Sequence, residues 1–335
     1  MTNQRRRLIS RIVACTPIAA ACALPGLGQA QQPVPGSPAW PQRPVRVVSP
    51  FAAGGVLDNM VRAVQIEVAN ALGQPLILEN RPGAGGTVGT ASVARAAPDG
   101  YTFLIAANSH HINAHLYSKL AYDPVTDFTG VAAIGTTGYV LMIPAALPVK
   151  TVDEFVRLMR ANPGKYHFAS AGVGSATHLS MAYLANLANL DMLHVPMKST
   201  GEAVTEVLAG RAHAVMPANI GAIPFAADPR VRLIGVTSRE PTPFLPDLSP
   251  ISRAVPGYEF DSWLGLLAPA TVPRAVLERM HEEMMKALKR PEVQERLAKQ
   301  GVDPLWLSRD AFNKLLAADF VRMAKVVKAA GAKID

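Results

Sequence analysis

Short β-branched runs alternate with longer helix-forming ones along most of this chain, and that alternation constrains its fold more than any other feature. Val45-Arg46-Val47-Val48 predicts a strand, and Asp58 to Leu72 predicts a helix with apolar Met60, Val61, Val64, Val68 and Leu72. A second strand over Pro75 to Glu79, a helix near Thr87 to Ala96 and a third strand over Tyr101 to Ala106 continue the series. Further strands are expected at 130–134, 140–143, 167–170, 213–216, 231–236 and 264–268. Such a series implies parallel strands joined by crossover helices, an α/β fold. Helix ends are punctuated: Thr151-Val-Asp-Glu154 reads as a capping box and Ser308 as the cap of the last helix. Pro163-Gly164, Gly210 and Gly301 read as stops, and Pro273 and Pro291 suit the first turns of two late helices. Four prolines between Pro241 and Pro250 predict an extended surface segment.

The N-terminus sets the compartment. Arg5, Arg6, Arg7 and Arg11 precede an apolar run from Ile12 to Leu24, and Gly28-Gln29-Ala30 supplies small residues for cleavage. The run is shorter than the ~20 residues that span a bilayer. The segment 1–30 is therefore expected to be a secretory signal peptide, cleaved near Ala30, with a periplasmic mature chain. Arg5-Arg6-Arg7-Leu8-Ile9 also fits a twin-arginine signal, so the general and twin-arginine routes both remain open. Both cysteines, Cys15 and Cys22, leave with it, which excludes disulfides, thiolate nucleophiles and cysteine-ligated metal in the mature chain. The formal charge falls from +8 to +4 because four arginines leave uncompensated. No basic run with interleaved aromatics remains, so nucleic acid is not an expected partner. Residues 31–41, rich in Pro and Gln, are expected to form a flexible tether.

The chemistry is carried by strand-to-helix loops built of small residues. They are Pro50-Phe-Ala-Ala-Gly-Gly-Val-Leu-Asp58, Glu79-Asn-Arg-Pro-Gly-Ala-Gly-Gly-Thr87, Ala107-Asn-Ser-His-His111 and Ser170-Ala-Gly-Val-Gly-Ser-Ala-Thr-His178. In open parallel sheets, ligands sit beyond the carboxyl ends of the strands. The helix that follows each loop aims its free N–H groups and positive dipole end at the same crevice. Glycine lets the backbone approach closely, so such a site favours anions without an arginine.

In its motifs the chain resembles the tripartite tricarboxylate transporter receptors, the Bug-type extracytoplasmic solute-binding proteins. Pro41-Gln-Arg-Pro-Val-Arg-Val-Val-Ser-Pro-Phe-Ala-Ala-Gly-Gly-Val-Leu-Asp58 looks like the family's opening block. Glu79 to Gly89, Pro98-Asp-Gly-Tyr-Thr-Phe-Leu104, Ala169 to Leu179 and Trp263 to Pro269 are similar to later blocks, in order. The resemblance implies a two-lobed periplasmic-binding-protein architecture of type II, a Venus flytrap, with lobe 1 over 42–138 and 262–335 and lobe 2 over 139–261. It implies a small carboxylate ligand (a di- or tricarboxylate or an aromatic acid), membrane permease subunits as partners, and a monomer with no cofactor and no metal. Carried over, Phe51, Ala52, Ala53 and Gly54 would line one side of the cleft with Ala84 and Gly85 beside them. Ser170, Gly172, Gly174, Ser175 and His178 would line the other.

Departures from the family pattern bear on the ligand. Val195-Pro196 is followed by Met197-Lys198-Ser199 where the family often has Tyr-Lys-Gly. Pro217-Ala218 replaces a frequent Asp, which argues against an amino-acid ligand. Ser109 and His110 are added to the expected ligand contacts, His110 as a donor to a distal carboxylate, against the alternative of two solvated loop histidines at 110 and 111. Asp58 is expected to cap the first helix, and Trp263 either to stack on ligand or to pack in the core. A serine hydrolase built on Ser109 or Ser175 lacks both the Gly-x-Ser-x-Gly elbow and an orienting acid. A dinucleotide loop at Gly83 to Gly89 has its third glycine one position late. No enzyme is expected; the remaining alternative is a receptor that reports to a membrane sensor.

Overall fold

The computed structural model describes residues 40–333. The expected signal peptide and the tether up to residue 39 lie outside the described residues. Trp40 and Pro41, the last tether positions, are packed: Pro41 is buried, and the Trp40 ring lies 6.3 Å from that of Tyr101 and 6.4 Å from that of Phe103.

The described chain is two-lobed. Its larger sheet contains β1 (Val45–Ser49), β2 (Leu76–Asn80), β3 (Thr102–Ala107), β4 (Phe128–Thr137), β9 (Ser262–Pro269) and β10 (Asp303–Pro304) in the order β10-β4-β9-β3-β1-β2. β1 runs parallel to β2 and β3, whereas β9 returns antiparallel between β3 and β4. Side chains alternate across it as strand geometry requires. Phe103 and Ile105 bury against α1 (Val56–Leu72) and α8 (Arg274–Leu288) on one face. Leu104 and Ala106 bury on the other with Phe312 of α10 (Arg309–Ala330) and Val93 of α2 (Thr87–Ala94). Helices on both faces explain why β3 and β9 read as apolar runs rather than alternating ones.

Apart from the large sheet, β5 (Val140–Pro144) runs antiparallel to β8 (Val231–Val236), and β6 (His167–Ser170) parallel to β7 (Leu193–Pro196). The strand expected at 213–216 is present only as two bridges, Val215 to Met142 and Ala214 to Phe168, which join the two pairs. Pro217 follows at once and has no N–H for a longer ladder. Around these strands lie α4 (Val152–Arg160), α5 (Ala176–Leu187), α6 (Thr200–Leu208) and α7 (Asn219–Ala222). Thr151 caps α4 as its capping box predicts, accepting from the Glu154 N–H at 3.2 Å. The segment read as a loop after β3 is instead helix α3 (Ser109–Leu116); its polar Ser-His-His-Ile-Asn composition hid the helical period. α9 (Pro291–Ala298) leads into β10.

The chain leaves the large sheet after Thr137 and re-enters it at Ser262. α10 then spans both packing regions. Phe312 near its start belongs to the core of the large sheet, whereas Met323, Val326 and Val327 bury with Met181 and Leu184 of α5. Among the described residues no helix is long and apolar enough to cross a membrane.

The short strand β10 sits tightly on β4. A Cβ at Gly135 would lie 2.5 Å from the Asp303 carbonyl oxygen and 2.5 Å from Val302 Cγ1. Gly135→Ala is therefore expected to lower unfolding stability by about 1–3 kcal/mol, as overpacking does. Urea denaturation measures this, and an unchanged midpoint would show that β10 can move aside freely.

Candidate functional site

Where the strands of the large sheet end, a cavity of about 520 Å³ opens. Its size lies within the ~300–1,000 Å³ usual for small-molecule sites. Three helices begin at its rim: α1 after the loop at 50–55, α3 after Asn108, and α5 after the loop at 171–175.

The first wall depends on Asp58. Gly55 is the cap residue of α1 and contributes no side chain, so Asp58 in the first turn reaches back instead. Its Oδ2 accepts from the Gly54 N–H at 3.2 Å and from Arg62 Nε at 3.0 Å, and its Oδ1 accepts from Asn80 Nδ2 at 2.9 Å. The same Asn80 amide donates to the Phe51 carbonyl at 3.0 Å. Burial alone would raise the Asp58 pKa, but the Asn80, Gly54 and Arg62 contacts together hold it below the usual carboxylate range. The expected cap is thus replaced by a clamp from the third helical position, with the turn itself made by Gly54 at φ +84°.

The second wall is tied mainly to itself. The Ala171 N–H donates to Thr177 Oγ1 at 2.8 Å, the Gly172 N–H to Ser170 Oγ at 3.1 Å, and the Gly174 N–H to His178 Nδ1 at 3.2 Å. Ser175 Oγ caps α5, accepting from the His178 N–H at 3.2 Å, and donates to the Gly172 carbonyl at 2.7 Å. Most amides of this loop are thus already used. Those without an intrahelical partner are the first-turn amides of α5, Ala176 and Thr177, and of α1, Val56 to Asp58.

The structure brings Phe51, Ala52, Gly85, Ser109, Gly174 and Ser175 together on the cavity. It does not bring Ala53, Gly54, Ala84, His110, Ser170, Gly172 or His178 to that surface. Ser170, Gly172 and His178 stand behind it and shape the loop; Ser170 Oγ lies 2.6 Å from His194 Nε2, and the His178 and His194 rings stack at 4.0 Å. His110 is turned into the protein, with Nε2 3.1 Å from the Pro124 carbonyl and its ring stacked on Tyr122. Burial, then the neighbouring His111, lowers its pKa to about 3, so it carries no positive charge for a ligand at neutral pH. Trp263 packs in the core and donates to Asp319. The imagined hydrolase pair does not form, because Ser175 Oγ meets the backbone of His178 while the ring faces Gly174. Among the described residues no group of three or more His, Cys, Asp or Glu side chains could hold a metal ion.

Several lining residues escaped the sequence reading: Ser49, Asn113, Tyr117, Thr137, Tyr139 and Ser262, while Asn108 was read only as part of the third small-residue loop. Ser49 and Asn108 directly end β1 and β3, and the rule that ligands sit beyond strand ends was the available signal. Thr137 and Ser262 had none, because nothing local shows that β9 inserts beside β4.

A sequence model described as "Tripartite tricarboxylate transporter family receptor" matches residues 60–332. The chain is 34% identical over 291 residues to the UPF0065 protein in the tcbD-tcbE intergenic region of Pseudomonas sp. strain P51, covering 86% of this chain and 87% of that protein. The solved structure of MatC (Rpa3494) from Rhodopseudomonas palustris with bound malate is similar, at 31% identity and a TM-score of 0.73 over 86% of this chain and 100% of that one. R. palustris Rpa4515 with adipate matches at 29% identity and a TM-score of 0.76 over 88% of this chain and 100% of that one.

The His178 ring also makes a pH prediction. Burial, and then His194, lowers its pKa from 6.5 to about 4, so the native loop holds it neutral. Its contribution to stability is full above the unfolded value and is lost as pH falls from 6.5 toward about 4, where only the unfolded chain takes up the proton. Melting temperatures between pH 7 and pH 4.5 should therefore fall less steeply for His178→Gln than for the parent. Parallel slopes would mean that the ring is accessible to protons in the folded state.

Proposed function

The chain belongs to the tripartite tricarboxylate transporter receptor family, and we propose that it captures a small organic carboxylate between α1 and α5 and presents it to the membrane permease of such a transporter. Family members are periplasmic substrate-binding receptors, so the chain is a receptor and not an enzyme. One observation carries the proposed site: the N-termini of α1 and α5, helices that this reading places in different lobes, open on one cavity whose lining holds no Lys, Arg or His. Anion attraction there rests on oriented amides. A helix end contributes about half a positive charge and free N–H groups.

The reading assigns lobe 1 to residues 42–138 and the chain from 262 into the first half of α10, and lobe 2 to 139–261 with the second half of α10 packed on it, the crossings near Gly138, near Asp261 and within α10 forming the hinge. A carboxylate bridging α1 and α5 meets both sets of amides only when the lobes are closed. Its binding energy is therefore differential and shifts the open–closed equilibrium. Moving that equilibrium from 1:99 to 99:1 takes about 5.5 kcal/mol of preference. Direct amide contacts and bridging waters to a carboxylate can supply such a preference. The malate and adipate carried by two structural relatives support a carboxylate ligand for this chain. The N-terminal sequence supports export, with cleavage near Ala30 giving the mature receptor.

A thermal-shift screen of the mature protein against organic acids, sugars and amines tests the proposal. A true ligand at about 100 times its Kd should add about 2.7 kcal/mol of stability. Stabilisation by sugars or cations, with none by any carboxylate, would refute it.

A further inference from the structure

We propose that the cleft selects monoanionic acids: one carboxylate at the helix ends, a hydrocarbon or aromatic body, and a neutral hydrogen-bond acceptor at the far end, held by Asn108 and Ser49. The proposal rests on the carboxylate reading above and specifies which carboxylates fit.

The cavity floor is a polar row laid down by strand order. β1, β3, β9 and β4 are adjacent in the large sheet, and Ser49, Asn108, Ser262 and Thr137 stand at their neighbouring ends. Thr137 pairs directly with Ser262, and Ala107, just before Asn108, pairs with Leu264. Two of the four hydroxyl and amide groups are spent within the protein. Thr137 Oγ1 donates to the Gly301 carbonyl at 3.0 Å, and Ser262 Oγ donates to Asn108 Oδ1 at 2.9 Å. The second contact fixes the Asn108 amide by its oxygen and leaves its NH₂ group over.

That NH₂ group and the Ser49 hydroxyl are buried atoms with no hydrogen-bond partner in the protein. Asn108 is 2% exposed, Ser49 is fully buried, and both line the cavity. A buried polar group left unsatisfied is unfavourable, and native proteins hold few of them. Here both residues line one ligand cavity, and both groups can donate. They suit an acceptor oxygen on a guest.

Charge decides which oxygen. Asp58, paired with Arg62, is the one carboxylate of the lining, and no Lys, Arg or His lines the cavity. A second ligand carboxylate on the floor would lose its water with only two neutral donors in return, which is unfavourable for an ion. An amide, ketone or ester oxygen, or a protonated acid, takes the same two hydrogen bonds without that penalty. The lining also holds Ile112, Leu116, Val173 and Leu264, an apolar surface suited to a hydrocarbon chain or ring.

Calorimetric titration of the mature receptor with matched trios provides the test. Each trio holds an α,ω-diacid of four to eight carbons, its monoamide and the plain alkanoate; terephthalate, its monoamide and benzoate form an aromatic trio. Within the best-fitting trio at pH 7.5, the monoamide should bind at least tenfold tighter than both companions. As pH falls, the diacid should gain on the monoamide, because its singly protonated form is the one that fits. Ser49→Ala and Asn108→Leu should each erase most of the monoamide's advantage over the alkanoate. A diacid that binds as tightly as its monoamide at pH 7.5, or an advantage that survives both substitutions, overturns the proposal. So does a silent panel when other carboxylates bind in the broader screen. If no carboxylate of any kind binds, the carboxylate reading of the cleft itself has failed.

Discussion

The buried carboxylate of Asp319 joins the parts of the molecule on which the cleft depends. It is 3% exposed, and its Oδ2 accepts from Trp263 Nε1 at 2.7 Å and lies 2.8 Å from His111 Nδ1, while its Oδ1 accepts from Arg322 at 2.7 Å. Burial would raise its pKa, yet His111 and Arg322 hold it below the usual carboxylate range. One side chain thus ties β9, α3 and α10 together. Arg322 extends the tie to the Glu259 carboxylate and the Asp261 carbonyl, where the chain returns from the second lobe. Removing one member of such a buried pair typically destabilises by about 3–5 kcal/mol. The first turn of α3, which presents Asn108 and Ser109 to the cavity, is therefore held from behind by ions that no ligand meets.

Asp58 plays the same part on a smaller scale for α1. Its contacts to Gly54, Asn80 and Arg62 use a charge to hold a backbone, and the backbone then faces the cavity. On the opposite wall neutral groups do this work: Ser170, Ser175, Thr177 and the uncharged His178 ring hold the 171–175 loop. Both walls are thus ordered before any ligand arrives. A preorganised site loses less freedom on binding, which favours affinity from modest contacts.

Much of this was legible in the sequence, for identifiable reasons. The apolar runs of β3, β5 and β9 marked strands because these are buried on both faces, and the capping residues Thr151 and Ser308 formed the bonds their spacing predicts. The small-residue loops led to the cavity, and Phe51, Ala52, Gly85, Ser109, Gly174 and Ser175 line it. What stayed hidden was long-range. Whether a loop glycine faces a ligand or the loop's own interior depends on which amides are already used, and Thr177 Oγ1 and His178 Nδ1 use Ala171 and Gly174. His110 looked like a ligand donor because its neighbours in sequence are polar, but Pro124, Tyr122 and Phe128 surround it in space. The floor needed β9 to be seated between β3 and β4, and strand order is not a local property.

On the carboxylate reading proposed above, a cavity lined by no Lys, Arg or His has a consequence for transport. An arginine in the cleft would attract a carboxylate in the open state as well as the closed one, and attraction common to both states shifts no equilibrium. Helix-end amides act mainly in contact and within the first turn. Their full effect on a bridging carboxylate therefore requires both lobes to be near it, which couples binding to closure. On the proposed reading the same short range eases release: once a permease draws the lobes apart, half of the amide contacts are gone and no cationic side chain of the lining holds the ligand back. Selectivity then falls to groups that are indifferent to closure because they lie wholly within one lobe. In the proposed arrangement Ser49 and Asn108, at strand ends of one sheet, meet that condition, and the division separates what closes the receptor from what chooses its cargo.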